Sequence, residues 1–329
     1  MKKVRVEAST KKDRTSEIFG NPMSKKVIRK AQKSKQKNQK KYGDDSKVNY
    51  QCIIRDNSCI GGPLGVKNVV VTRKEGKGSF DEEKGVIVGN IRMGFGHYRI
   101  SMAIASAAHA LGYTPYWMDL NSYPETTCTK LISAQNELYS LGSRISQKSK
   151  LFNKFVWEPV NYEGFRQLSY NAADQKNAEL MAPVYHSVPK DIPVIATHVW
   201  PAQAAVHAGM KHVVNAIPDN WPMALHYAQG SLHTVQTHYA YQGYRIGNGM
   251  MKDKVVQAMP PQDLMYTGHY IDHELAANIE KDCETRLSRL KNGEAMRFLL
   301  TVGGAGAQME IFGEVLHYLI PYVIAGKAV

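Results

Sequence analysis

Residues 85–120, GVIVGNIRMGFGHYRISMAIASAAHALGYTPYWMDL, constrain the fold of this chain more than any other stretch. The apolar run Val86, Ile87, Val88 enters a tight turn carrying Gly94, Gly96 and His97. An Ala-rich pattern follows, with Ile100, Ala103, Ile104, Ala107, Ala108 and Leu111 at helical spacing, and a second extended run from Thr114 to Met118 ends at Asp119. Strand, glycine loop, helix and strand make a βαβ unit, which predicts an α/β fold with a doubly wound, Rossmann-like parallel sheet. Ligands of such sheets bind outside the carboxyl ends of the strands. Gly94, Phe95, Gly96, Tyr98 and Arg99 therefore fall at the ligand crevice, at the amino end of a helix whose free N–H groups favour anionic groups.

The loop is not the dinucleotide fingerprint, because Arg99 stands where the third glycine belongs, although Asp119 lies about 20 residues on, where a ribose-binding acid is expected. Its distinctive member is His97. A histidine at a strand-to-helix turn faces the crevice and titrates near neutral pH, so it can serve as a base. The alternative is a histidine that caps the turn by bonding backbone.

Charge is concentrated at one end. Lys and Arg number 42 against 29 Asp and Glu, a net of +13, and residues 1–50 alone carry +11 of it. That arm, with KKVIRKAQKSKQKNQKKYG at 25–43, has few apolar residues, so residues 1–47 are expected to be disordered or helical only on binding. Its possible contacts are anionic lipid, nucleic acid, or solvent alone. Residues 48–84 read as a lead-in in which Cys52–Arg55 and Val69–Arg73 form strands joined through Gly61, Gly62 and Pro63. The chain shows neither a secretory signal nor a run of 18 apolar residues. Cys52, Cys59, Cys128 and Cys283 form no CxxC pair and suggest reduced thiols in the cytoplasm.

Residues 125–182 read as helical, with Leu131, Ile132, Leu138, Leu141 and Ile145 on one face. Within them Phe152, Phe155, Val156 and Trp157 alternate with Lys148, Lys150 and Lys154. This mixture suits a segment lying in a membrane interface, or equally one packed into the core beside a solvated lysine face. Strands at 192–197, 213–217, 234–237 and 265–268 then alternate with helices at 201–208 and 239–246. They end in His198 with Trp200, in Asp219 with Trp221, in His238 and in His269, which a parallel sheet would line up along one edge with His97. No metal site is expected, since His269 and His273 lack an HExxH context, and no nucleophile elbow is visible. Residues 85–275 thus form one Rossmann-like domain. Residues 276–329 hold a charged helix and a second βα unit, a strand from Arg297 to Val302 followed by the loop Gly303, Gly304, Ala305, Gly306, Ala307, Gln308. Glycines there let backbone approach a diphosphate at a helix N-terminus.

In this order the motifs resemble the GT-B glycosyltransferases of the monogalactosyldiacylglycerol synthase and MurG-like group. The likeness rests on Gly94, Gly96 and His97, on Val213–Trp221, on Thr234–Ile246, on the turn Tyr266-Thr267-Gly268-His269-Tyr270, and on Thr301–Gln308. It spans residues 85–325 and implies a chain cut short in its second domain, which leaves open whether the polypeptide alone is active. It implies an inverting transfer of a sugar from a nucleotide-diphosphate sugar, a UDP-sugar above all, to a lipid or other membrane-associated acceptor, at a peripheral membrane site in the cytoplasm. Gly303–Gln308 would hold the donor diphosphate, Gly94–Arg99 with His198, Trp200 and Trp221 the acceptor, and His97 or Asp219 would be the base. No cofactor is called for, and nucleic acid is not the expected partner. Two other classes fit the residues: a nucleotide-sugar epimerase on the same plan, and a non-catalytic sugar-nucleotide or nucleic-acid-binding module.

Overall fold

The structure is a computed structural model that describes residues 13–74, 76, 79–247, 249–252, 254–301 and 309–329. It divides into two units, Met1–Tyr270 and Ile271–Val329.

The first unit is an α/β body around an eight-stranded sheet. A short hairpin of β1 (Glu17–Ile18) and β2 (Asn21–Pro22) leads into helix α1 (Lys25–Tyr42). The sheet begins with β3 (Gln51–Asp56), the helical turn α2 (Gly61–Leu64) and β4 (Lys67–Thr72). It continues through β5 (Gly85–Asn90), α3 (Phe95–Ala110) and β6 (Thr114–Asp119), then through α4 (Thr127–Lys148), the turn α5 (Lys150–Phe152) and α6 (Leu168–Ala178). The remaining elements are β7 (Val194–Ala196), α7 (Val199–His207), β8 (Val213–Ala216), β9 (Leu232–Val235), α8 (His238–Ile246) and β10 (Leu264–Tyr266). Strand order is β10-β9-β8-β7-β5-β6-β4-β3, parallel throughout except for β3, which runs antiparallel to β4 at the edge. The central strand β5 is buried along its whole length, as a strand covered on both faces must be.

The order contains one switch point. From β5 the chain passes through α3 to β6 on one side, then returns through α4 and α6 to β7 on the other side of β5. Val88 of β5 faces Ala105 of α3 and Trp117, whereas Ile87 and Ala196 face the cluster that holds Leu131 of α4 and Ala202 of α7. The helices after β5 and β7 therefore leave toward opposite faces, and a crevice opens between the ends of these two strands.

The basic arm departs from expectation. Residues 25–42 form a regular helix, because Ser24 caps Val27 N, Lys40 and Lys41 sit at the negative end of the helix dipole, and Gly43 ends the last turn at φ 107. Ala31 is buried, Lys35 Nζ lies 2.6 Å from Glu179 Oε2, and Asn38 donates to Asn177 of α6 at 2.9 Å. Ile18, Phe19 and Met23 pack into a core cluster with Leu168, Tyr227 and Tyr244. Tertiary contacts supply the order that composition alone withheld.

The helical stretch 125–182 is likewise only half a core element. Leu131 and Ile132 are buried, but Leu138 is 71% exposed and Leu141 and Ile145 are exposed too. From residue 133 to residue 167 no side chain is fully buried. The end of α4, α5 and two π-helical turns, Asn153–Trp157 and Val160–Gly164, form a projecting hairpin. Leu151, Phe155 (68%), Val156, Val160 and Tyr162 are exposed on it. Of the two readings of this segment, packing into the core is the one the structure removes. Trp157 anchors the hairpin by lying on Tyr139, with ring centroids 5.1 Å apart, and over Gly142. A Cβ at Gly142 would stand 2.3 Å from Trp157 Cζ3. Gly142→Val is expected to speed proteolytic cutting within 150–165 while leaving the thermal midpoint nearly unchanged, because the hairpin contributes nothing to the core. A cutting pattern equal to that of the parent chain would show that this contact does not hold the hairpin.

The second unit contains α9 (His273–Ala277), α10 (Ile279–Lys291) and α11 (Met309–Ile324), with Met296 bridging to Ala328. The loop Gly303–Gln308, assigned above to a donor diphosphate, lies outside the described residues. Among the described residues no helix is long and apolar enough to cross a membrane.

Candidate functional site

The crevice between β5 and β7 is closed at its floor by His97. Gly94, at φ 77, turns the chain out of the loop after β5 and starts α3 without a side-chain cap, which places His97 in the first turn. Its Nδ1 lies 2.7 Å from the carbonyl oxygen of Thr197, the first residue after β7. A carbonyl can only accept, so Nδ1 carries the hydrogen and Nε2 keeps its lone pair. Ser101 Oγ bonds the His97 carbonyl at 2.9 Å and Thr197 Oγ1 at 2.8 Å, so α3 is tied to the end of β7 by side chain and backbone together. Burial lowers the His97 imidazole below its usual value of 6.5, with the nearby Asp219 carboxylate opposing that shift and His226 adding to it. Near neutral pH the ring is an uncharged base with its orientation fixed.

Beneath it lies a second histidine. His198 caps α7, its Nδ1 accepting from Trp200 N at 3.2 Å, and its ring meets His97 edge-on with centroids 4.9 Å apart. Burial, reinforced by His97 and His226, holds His198 neutral. Trp200 stacks edge-on against His198 and donates its Nε1–H to Asp174 Oδ2 at 3.2 Å. His198 and Trp200 are both buried, so they back His97 and do not reach the crevice surface. Burial raises the Asp174 carboxyl to about 7, against the hydrogen bond from Trp200.

Asp219 enters from the loop after β8 and is half-exposed. Its Oδ2 lies 3.0 Å from Nε2 of His226, a residue only 2% exposed. Asn215 Nδ2 donates to the His226 carbonyl at 2.7 Å and fixes that turn. Burial works to raise the Asp219 carboxyl, but the His226 imidazole together with the field of His97 outweighs it, and Asp219 titrates below the ordinary carboxylate range. The crevice thus holds a neutral imidazole and an ionised carboxylate within electrostatic reach of each other. At the end of β5, Asn90 is fully buried, and neither of its amide atoms is hydrogen-bonded among the described residues.

Around this pair the predicted residues divide. Gly94, Phe95, Gly96 and Arg99 are exposed at the crevice mouth. Tyr98 turns inward against Trp117, and its hydroxyl reaches Asp119 Oδ2 at 3.4 Å. Asp119 also takes Arg92 Nε at 2.7 Å and Ser122 Oγ at 2.9 Å, and it is buried. It locks the loop after β5 and is not presented to a ribose. Trp221 lies against Tyr162 of the hairpin, at 5.4 Å, and Tyr239, at 6.0 Å, with the Arg166 guanidinium 5.7 Å from its ring. His238 stacks on Tyr266 and His269 contacts Gln236, so both stand at the ends of β9 and β10. Lys148, Lys150, Phe152, Lys154, Phe155 and Trp157 all lie on the projecting hairpin. An open groove of ≈ 830 Å³ runs along it, lined by Lys154, Trp157, Glu158 and Tyr162 among others.

Sequence reasoning missed His226, Asp174, Thr197 and Tyr162. Thr197 had a usable signal as the residue after a buried strand. His226 had none, since it lies ten residues beyond the end of β8, in a turn that no local pattern marks, and the contact with Asp219 exists only in space.

Curated proteins and solved structures give no match to the chain. Residues 259–329 match a domain of unknown function, DUF6938. Residues 17–246, from the β1 hairpin to the end of α8 and including every side chain of the crevice, match a domain of unknown function, DUF6937, and the chain belongs to that family.

Proposed function

We propose that this chain is an inverting glycosyltransferase on the GT-B plan, moving a sugar from a nucleotide-diphosphate sugar to a hydroxyl of a lipid or other membrane-associated acceptor. One observation carries the reading: a neutral imidazole, fixed by backbone at the switch point of a parallel sheet, within electrostatic reach of an ionised carboxylate. His97 Nε2 takes the proton of the acceptor hydroxyl as its oxygen attacks the anomeric carbon. A new C–O bond forms while the bond from that carbon to the diphosphate oxygen breaks, and the nucleoside diphosphate leaves with the electron pair. Asp219 stabilises the imidazolium that develops on His97. The donor diphosphate is assigned on sequence to Gly303–Gln308. The exposed apolar hairpin, joined to the crevice through Tyr162 and Trp221, gives an apolar acceptor a path toward Asp219.

Thermal melting with UDP-, GDP- and dTDP-sugars tests the donor half. A UDP-sugar is expected to raise the midpoint by several degrees, since ligand at about 100 times its dissociation constant adds about 2.7 kcal/mol. The shift is expected to vanish in Gly304→Val and to persist in His97→Gln. A folded protein that no nucleotide-sugar stabilises overturns the donor assignment.

A further inference from the structure

Among the described residues no side-chain partner meets the outer face of α1, whereas its inner face is docked on α6. On a helix with 100° between residues, Lys26, Arg29, Lys30, Lys33, Lys37 and Lys40 fall within an arc of about 100°. All six are exposed, and α1 contains no acidic residue. The opposite face carries the docking contacts already described, through Ala31, Lys35 and Asn38 to α6. From Lys26 to Lys40 the stripe is about 21 Å long at 1.5 Å per residue. Rows of like charge repel one another, and nothing in α1's own packing uses this one. Of the acids that follow it, Asp45 is buried against Thr127 N and the Tyr50 hydroxyl, and Asp44 bonds Gln39 and Ser46.

We infer that this face of α1 is a docking surface for an anionic lipid bilayer. Charge complementarity selects a polyanion, and two further observations select lipid over nucleic acid. The exposed residues of the stripe include no aromatic ring on which bases could stack, the usual companion of a basic groove that holds single strands. The amino end of α1 also lies beside the base of the apolar hairpin: Val27 and Ile28 pack on the cluster containing Leu168 and Ala172, and Leu168 opens α6 just beyond the hairpin's last turn. Stable attachment generally needs two weak signals together, and here a polybasic stripe and an apolar projection share one unit. The inference extends the membrane-facing part of the proposed function and does not depend on sugar transfer.

Flotation of the full chain with phosphatidylcholine vesicles, with and without phosphatidylglycerol, tests it. Binding is expected only to the anionic vesicles and is expected to be lost in high salt. Neutralising three stripe positions together, Lys30→Gln, Lys33→Gln and Lys37→Gln, is expected to weaken partitioning on the order of 100-fold, each charge counting for about five-fold near such a surface. The same variant should keep its melting temperature and its response to a UDP-sugar. Three outcomes overturn the assignment: a variant that floats like the parent, a parent that binds neutral vesicles equally well, or an RNA oligonucleotide that strips the parent from anionic vesicles at matched phosphate concentration. Vesicle binding that survives alongside a missing UDP-sugar response would instead count against the transferase reading alone.

Discussion

His97→Gln is expected to fold normally and to lose about 10²–10⁴-fold in sugar transfer, the range ordinarily supplied by a positioned general base. Glutamine can still donate to the Thr197 carbonyl, so α3 stays tied to β7, but it has no basic nitrogen. The pH profile of the parent chain gives a second reading of the same group. Because burial lowers the His97 imidazole below 6.5, the ring stays an active base down to that region, and the acid limb of the rate should lie below pH 6.5. Asp219 works against that lowering, so Asp219→Asn should move the limb to still lower pH while reducing the rate. Transfer of radiolabelled sugar from a UDP-sugar to a lipid acceptor would measure both effects. Turnover near that of the parent in His97→Gln removes the histidine from the chemistry.

Asp174→Asn is expected to make the protein more stable above pH 7. The folded chain holds the Asp174 proton up to about 7, whereas the unfolded chain releases it near the ordinary value of 3.8. Between these values the folded state binds more protons, so stability falls as pH rises through that window, and above it the full cost remains. At about 1.4 kcal/mol per pH unit, that cost is on the order of 4 kcal/mol. Asparagine has no proton to lose, and its Oδ1 can still accept from Trp200 Nε1. Urea midpoints of the two chains should differ most above pH 7 and converge as pH falls toward about 4. Equal stability above pH 7 would mean that the carboxylate is ionised and satisfied where it lies.

The architecture was legible because strong local patterns carried it. The buried run of β5, the small residues on the inner face of α3 and the strands ending in His198 and Asp219 each have a period or a composition that one conformation satisfies. The strands at 52–55 and 69–73 were legible for the same reason, and they pair as β3 and β4. Composition misled where stability is tertiary. The residues of α1 look disordered because they bury little of their own surface, and contacts with Glu179, Asn177, Thr127 and the cluster around Leu168 make the helix a fixed element. Leu138, Leu141 and Ile145 have the spacing of a core face but project beyond the sheet, and nothing local reports how far a helix extends past the body it leaves.

By itself, then, the sequence determined a parallel α/β body and put His97 and Asp219 at strand ends, because strand and helix periods are set by neighbours a few residues apart. Only the tertiary structure decided that Thr197 orients His97, that His226 holds Asp219, that Asp119 is consumed in locking a loop, and that six cations of α1 share one outward face. The last depends on which face of α1 docks against α6, and the first three on the burial of a polar group beside a particular partner. That partner is usually tens of residues away, and sequence spacing carries no record of it.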